Sequence, residues 1–152
     1  MKKLNHLVEI YNSYDTFIID LWGVMHNGVR LNPKAIKVVE NLMKSKKKVV
    51  FLTNAPRPSS EVKKFLYKLK IEDRYLKNIL TSGEAAMFAA SKQKYGKFFY
   101  HLGPEKDNTI FFDIKENQVS LEKCNFILCT GVFDEHENNL SYYKKLLKNH
   151  TS

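Results

Sequence analysis

The sequence predicts an α/β fold with a doubly wound parallel sheet, because short apolar runs alternate with longer amphipathic segments. Three apolar runs, at residues 16–20, 48–53 and 78–81, each precede a segment with helical spacing. Connections of this length form crossovers between parallel strands and are longer than a hairpin needs. The chain has 152 residues, of which 43% are hydrophobic, so it has enough apolar material for a globular core.

The elements of the first half follow from local signals. In order, they are a strand at 16–20, a helix over 32–45, a strand at 48–53, a helix capped by Ser59 or Ser60, a strand at 78–81 and a helix to about Lys94. Asn32-Pro33 is a capping residue followed by a proline at the first helical position, which marks a helix start. Thr81 and Glu84 have the spacing of a capping box, so the third helix is expected to begin there.

The second half is less regular. Residues 97–102 and 125–130 are predicted strands, and Asn138 or Asn139 is expected to cap a last helix that runs through Lys148. Residues 105–123 show no clear periodicity and receive no assignment.

The net charge of +9 raises the question of nucleic acid as a partner. The lysines are scattered over helical stretches, and only three of the basic residues are arginine. We therefore interpret the charge as that of solvent-exposed helix surfaces and do not expect nucleic-acid binding. A nucleic-acid binder would show strongly salt-dependent binding to DNA or RNA. No apolar run approaches the ~20 residues of a membrane helix, and no signal peptide is evident, so we expect a cytoplasmic protein without membrane contact.

Two strand ends carry polar side chains suited to chemistry. Asp20 ends the first strand, where open α/β sheets bind ligands, and a carboxylate there can act as a nucleophile or a metal ligand. Thr53-Asn54 ends the second strand, where a hydroxyl and an amide can donate to phosphate oxygens. Turn capping is the alternative for each. It is weaker for the pair, because Asp20 and Thr53 are expected side by side at one edge of a parallel sheet.

Three other features are better explained by structure. Thr81-Ser82-Gly83 is accounted for by the capping box. His26 and His101 are lone histidines without a metal-ligand spacing to a partner, so we expect them to be structural or to line a pocket.

Four segments in the same order resemble the haloacid dehalogenase-like (HAD) hydrolases of the NagD-like branch. The string from Asp20 to Gly28 (DLWGVMHNG) is similar to the first motif, and Val50–Arg57 (VFLTNAPR) is similar to the second. Leu80–Ala86 (LTSGEAA) is similar to the next strand–helix unit, and His101–Glu105 with Leu128–Gly131 is similar to the start of the cap domain. The resemblance implies a partial doubly wound, Rossmann-like core over 1–80 and an incomplete inserted α/β cap over 81–152.

The resemblance also implies residue roles. Asp20 would attack a small phosphorylated metabolite and form an aspartyl-phosphate, with Mg²⁺ held by Asp20 and the backbone carbonyl of Trp22. Thr53 would hydrogen-bond the phosphoryl group, while Asn54 and His26 would help to shape the phosphate and substrate pocket. Such catalysis depends on positioning and charge neutralisation.

Two departures from the family pattern limit the expected activity. Typical members carry an acid/base Asp two residues after the nucleophile, and here that residue is Trp22, which implies slow turnover or help from a residue such as His26. The third and fourth motifs, a Lys and an acidic pair, lie after the cap, and the sequence ends inside the cap-like region. We therefore expect an N-terminal portion of a HAD-like phosphatase with little activity alone. The alternative is a non-catalytic interaction protein that pairs with a separate C-terminal half or with itself.

Overall fold

The computed structural model describes Leu4 and residues 6–148, and these form two compact units. The first unit holds the chain up to Thr53 together with Ser59–Leu80. The second holds Asn54–Pro58 and the chain from Thr81 onward. The assignment of 1–80 and 81–152 as core and cap stays a prediction, because compactness does not by itself define a cap.

The first unit contains a three-stranded sheet, apart from the last residue of its third strand, and the helices beside it. Its elements are α1 (Val8–Tyr11), β1 (Thr16–Asp20), α2 (Pro33–Lys44), β2 (Lys48–Thr53), α3 (Ser59–Lys68), a 3-10 turn (Asp73–Tyr75) and β3 (Ile79–Thr81). The strand order is β1-β2-β3, and β1 and β2 run parallel with Thr16 opposite Lys48 and Asp20 opposite Leu52. The predicted parallel arrangement of the first two strands is confirmed.

The two faces of this sheet differ in burial. On one face Phe51 is fully buried at 0% exposure and Ile79 is buried, and α2 packs against β2 with Val39 and Leu42 in the core. On the other face Ile18 is 68% exposed, Leu52 49% and Leu80 56%. The sheet therefore has one covered face and one open apolar face, which we call the open face.

The second unit contains a two-stranded parallel sheet and short helices. Its elements are α4 (Ser82–Ser91), β4 (Phe99–Leu102), 3-10 turns over Glu105–Asn117, Leu121–Lys123 and Asp134–His136, β5 (Phe126–Cys129) and α5 (Leu140–Leu147). β4 and β5 pair in parallel from Phe99 with Phe126 to Leu102 with Cys129. Phe99, Ile110, Phe111 and Leu128 form its buried core.

The predicted capping residues are confirmed at three helix starts, whereas α3 already begins at Ser59. Asn32 accepts hydrogen bonds from the N–H groups of Lys34 and Ala35, and Thr81 accepts from that of Glu84. Asn139 accepts from the N–H of Tyr142, which settles the choice left open between two asparagines. The helix after Thr81 ends at Ser91, three residues before the predicted end, where the chain turns through a positive φ at Gln93. Of the helices that the structure describes, none combines the length and apolar surface of a membrane span.

Candidate functional site

Asp20 and Thr53 lie at the carboxyl ends of neighbouring parallel strands. Asp20 is opposite Leu52, so Thr53 is one residue further along the edge. Asp20 is exposed and by strand alternation shares the open face with Ile18, whereas Thr53 is buried and shares the covered face with Phe51. The two residues meet at one edge of the sheet, and a pocket common to both would lie beyond the strand ends.

The loop after Asp20 is held by its own backbone. The N–H groups of Met25 and His26 donate to the carbonyl of Leu21 at 2.8 and 3.2 Å, and that of Gly23 donates to His26 at 2.8 Å. Gly23 has a φ of +76°, a conformation that glycine adopts without steric cost. This hydrogen bonding fixes the loop that follows the candidate nucleophile.

His26 is a buried polar side chain in the loop that follows Asp20. Its ring is buried and makes edge contacts with Trp22 and Phe65. The backbone N–H of Gly28 donates to its Nδ1 at 3.1 Å, so the neutral ring carries its proton on Nε2. Burial lowers the pKa of His26, and the charge of Asp20 opposes that shift. His26 is therefore arranged as a neutral hydrogen-bond donor and not as an imidazolium acid.

A cavity of about 440 Å³ adjoins this loop in the first unit. Its wall is formed by Gly23, Val24, His26, Asn27, Arg30, Leu31, Asn32 and Pro33. His26 is the one predicted site residue in that wall, counted over the described part of the chain. The cavity places Arg30, a permanent cation that the sequence analysis did not single out, beside the predicted site.

Asn54 belongs to the second unit, where it begins a short segment anchored by other residues. Thr81 Oγ1 donates to the carbonyl of Arg57 at 2.6 Å, and Ser82 Oγ donates to that of Ala55 at 3.1 Å. A Cβ on Gly83 would lie 2.5 Å from the Arg57 backbone nitrogen, so only glycine fits there. Thr81-Ser82-Gly83 thus has the structural role that we expected. Asn54 itself is exposed, and its phosphate role stays a prediction.

The second unit also buries the polar side chains of His101 and Asp107, of which the sequence analysis singled out His101 but not Asp107. Asp107 is buried and lies 3.4 Å from Nε of Arg57. His101 is buried against Phe111, with its Nε2 2.8 Å from Oγ1 of Thr130. A weak sequence signal for the pair of Arg57 and Asp107 is that this chain has only three arginines. The second pair fixes the ends of β4 and β5, which agrees with a structural role for His101.

The oxygen donors available for a metal ion are few. In the part of the chain that the structure describes, no group of three or more His, Cys, Asp or Glu side chains could hold one. The exposed Asp20 carboxylate and a loop carbonyl are nevertheless the hard donors that Mg²⁺ prefers, and this ion commonly completes its shell with water and phosphate oxygens. The residues fit a Mg²⁺ site that the substrate helps to complete.

Comparison with known proteins identifies a family. The family model described as "Haloacid dehalogenase-like hydrolase" matches residues 17–115. No curated protein sequence matches the chain at a significant level.

Solved structures share the fold over part of their length. A haloacid dehalogenase-like hydrolase from Brucella suis 1330 matches with a TM-score of 0.79 and 24% identity, covering 96% of this chain and 55% of its own. A 4-nitrophenylphosphatase from Thermotoga maritima matches with a TM-score of 0.59 and 20% identity, covering 79% of this chain and 46% of its own. A protein provisionally assigned as NagD matches with a TM-score of 0.62 and 20% identity, covering 88% of this chain and 50% of its own. The chain spans about half the length of these structures.

Proposed function

The chain belongs to the haloacid dehalogenase-like hydrolase family, and from this premise we propose that it carries the nucleophile part of a Mg²⁺-dependent phosphatase. The observation that supports the proposal is the meeting of Asp20 and Thr53 at the carboxyl edge of one parallel sheet. The proposed substrate is a small phosphorylated metabolite. A solved structure of the same fold is named 4-nitrophenylphosphatase, which agrees with phosphate ester chemistry.

In the proposed reaction Asp20 is the nucleophile. A carboxylate oxygen of Asp20 bonds to phosphorus, the ester P–O bond breaks, and the leaving oxygen takes a proton from solvent water. Water then attacks the phosphorus of the aspartyl-phosphate and restores the carboxylate with release of inorganic phosphate. The displacement is thereby split into two steps, and the Asp20 carboxylate is the nucleophile in the first and the leaving group in the second.

The remaining residues would position the phosphoryl group. Thr53 Oγ1 would donate to a phosphoryl oxygen, as would Nε2–H of His26, and Asn54 would add an amide donor. Asp20 and the Trp22 carbonyl would hold Mg²⁺, which neutralises phosphate charge when bound. Because Trp22 occupies the usual acid/base position and His26 is held neutral, proton delivery to the leaving group is poor.

Binding of inorganic phosphate tests this site without relying on turnover. By calorimetry we expect phosphate to bind wild-type protein only when Mg²⁺ is present, and binding to be lost in Asp20→Asn. Asp15→Asn is the matched control, because Asp15 lies just before the amino end of the same strand and pairs with Lys47. The proposal fails if phosphate binds Asp20→Asn as well as wild type, or does not bind at all.

Turnover by the isolated chain is expected to be very low. With Mg²⁺ and 4-nitrophenyl phosphate, release of nitrophenolate should stay near the rate without protein. Clear turnover that Asp20→Asn abolishes would show that this chain needs no further catalytic groups.

The open face favours a second candidate function, that of an interaction protein on the same fold. Sheets of parallel strands are normally covered on both faces, yet Ile18, Leu52 and Leu80 are exposed here. β1 is also an edge strand of the described sheet. Both features suit a separate polypeptide carrying the complementary half of the fold, or a second copy of this chain.

Sedimentation velocity over a range of concentrations distinguishes these partners. Self-association that Ile18→Lys or Leu80→Lys abolishes would identify a second copy. Val29→Lys is the control, since Val29 is exposed on the loop after β1. A monomer at every concentration excludes the second copy and leaves the complementary half as the partner to be tested by co-expression.

A further inference from the structure

We propose that the indole of Trp22 is a stacking platform for the leaving group, and that the substrates are aromatic phosphate monoesters. This inference rests on the proposed function, since the phosphate would be bound at Asp20. The carrying observation is an indole that is 64% exposed two residues after that carboxylate.

Trp22 is an exposed aromatic side chain in the loop that follows β1. The adjacent Leu21 and the nearby Met25 are almost fully buried, whereas Trp22 and the smaller, aliphatic Val24 and Val29 are exposed. Trp is highly buried on average in folded proteins, and exposing this much apolar ring opposes folding. An exposed indole beside a candidate site is better explained by a ligand than by packing.

The indole is also fixed in place. Its six-membered ring lies over Gly28, where an added Cβ would come within 2.7 Å of Cη2, and Gly28 has a φ of +89°. The indole also makes an edge-on contact with the ring of His26, at a centroid distance of 5.4 Å and an angle of 88°. Because two neighbours hold the indole, stacking on its free surface costs little side-chain ordering.

His26 connects the platform to the reacting group. Its ring contacts Trp22, and its backbone N–H donates to the carbonyl of Leu21, the residue that follows Asp20, so the loop folds back to the end of β1. A planar leaving group attached to a phosphate at Asp20 would therefore lie within reach of the indole. Aromatic pairs gain energy beyond buried area, which corresponds to a preference of roughly 2- to 10-fold over a saturated ring of similar size.

Paired ligands test the platform. Phenyl phosphate, cyclohexyl phosphate and inorganic phosphate would each be titrated with Mg²⁺ present. Trp22 is the single Trp of the chain, so its fluorescence reports contact with the ligand directly. We expect phenyl phosphate to bind roughly 2- to 10-fold more tightly than cyclohexyl phosphate and to change Trp22 emission.

Variants assign the preference to the indole. By calorimetry, the phenyl-to-cyclohexyl ratio should fall to about one in Trp22→Leu and be partly kept in Trp22→Phe. Tyr14→Leu is the matched control, because Tyr14 is an exposed aromatic residue before the amino end of β1, and it should keep the full ratio. Equal binding of the two esters by wild type, or a ratio that survives Trp22→Leu, overturns the inference.

The two proposals fail in different ways. If wild-type protein does not bind inorganic phosphate in the presence of Mg²⁺, the proposed phosphatase site is contradicted but the platform is not. In that case Trp22 fluorescence with phenol and cyclohexanol decides the platform: a response to phenol only supports it, and equal responses overturn it.

Discussion

Thr53 follows Leu52, the residue that pairs with Asp20 across two parallel strands, so the candidate hydroxyl and carboxylate are one step out of register at a single sheet edge. The covered face buries Thr53, while Asp20 stays exposed. This offset gives the carboxylate solvent access and gives the hydroxyl a fixed surrounding, which suits a reacting group and a positioning group.

Removing the Thr53 hydroxyl should weaken phosphate binding. Thr53→Val keeps the shape of the side chain but loses the donor, and a hydrogen bond to a charged group contributes about 1.5–3 kcal/mol. Calorimetric affinity for inorganic phosphate with Mg²⁺ should fall by at least about 10-fold, and Thr53→Ser should restore it. Thr16→Val, at the amino end of β1, is the control. Wild-type affinity in Thr53→Val would mean that the hydroxyl does not contact phosphate.

Neighbouring residues of β2 should differ sharply in their effect on stability. Phe51 is fully buried, so Phe51→Ala should lower the free energy of unfolding by about 3–5 kcal/mol. Leu52 lies on the open face, and Leu52→Ala should cost well under half of that. Urea unfolding measures both. Similar losses would show that a partner or another segment covers the open face under the conditions used.

Gly83→Ala should destabilise the protein, although replacing glycine by alanine inside a helix usually stabilises it. Alanine normally stabilises a helix relative to glycine by about 1 kcal/mol. Here its Cβ would meet backbone atoms of Arg57 and Pro56 within 2.8 Å, and overpacking costs about 1–3 kcal/mol. The melting temperature should fall. Gly131→Ala is the comparison, because its Cβ would make an ordinary 3.4 Å contact with Pro104, and its melting temperature should stay near wild type.

His101 should make stability depend on pH. Burial lowers its pKa from the ordinary 6.5, while the charge of Asp107 and a hydrogen bond to Asn108 oppose the shift. A histidine with a lowered pKa in the folded state binds protons more readily when unfolded. Its contribution is therefore fully present above about pH 6.5 and is lost as the pH falls through the lower, folded pKa.

Two measurements check this pH dependence. NMR titration of the His101 ring should give a pKa below the ordinary 6.5, and His101→Gln should flatten part of the decline in unfolding free energy between about pH 7 and pH 5. An unchanged slope in His101→Gln would assign the decline to other groups, of which His26 is the first to test, since its pKa is lowered in the same direction.

The sequence by itself determined the local structure. Asn32, Thr81 and Asn139 cap helices as their residue types require, because capping involves only groups a few positions apart. The alternation of short apolar runs with amphipathic segments was sufficient to predict parallel strands, since crossover length restricts the topology. The resemblance to HAD hydrolases, carried by short motifs in order, agrees with the family match.

Only the tertiary structure decided how side chains from distant positions meet. The exposed indole of Trp22, the neutral form of His26 imposed by the Gly28 N–H, and the contact of Gly83 with the Arg57 backbone have no periodic signal. Each depends on which atoms surround a group in three dimensions. The open face of the first sheet is of the same kind: the apolar runs at 16–20 and 48–53 predict strands, and only the fold shows which of their faces is covered.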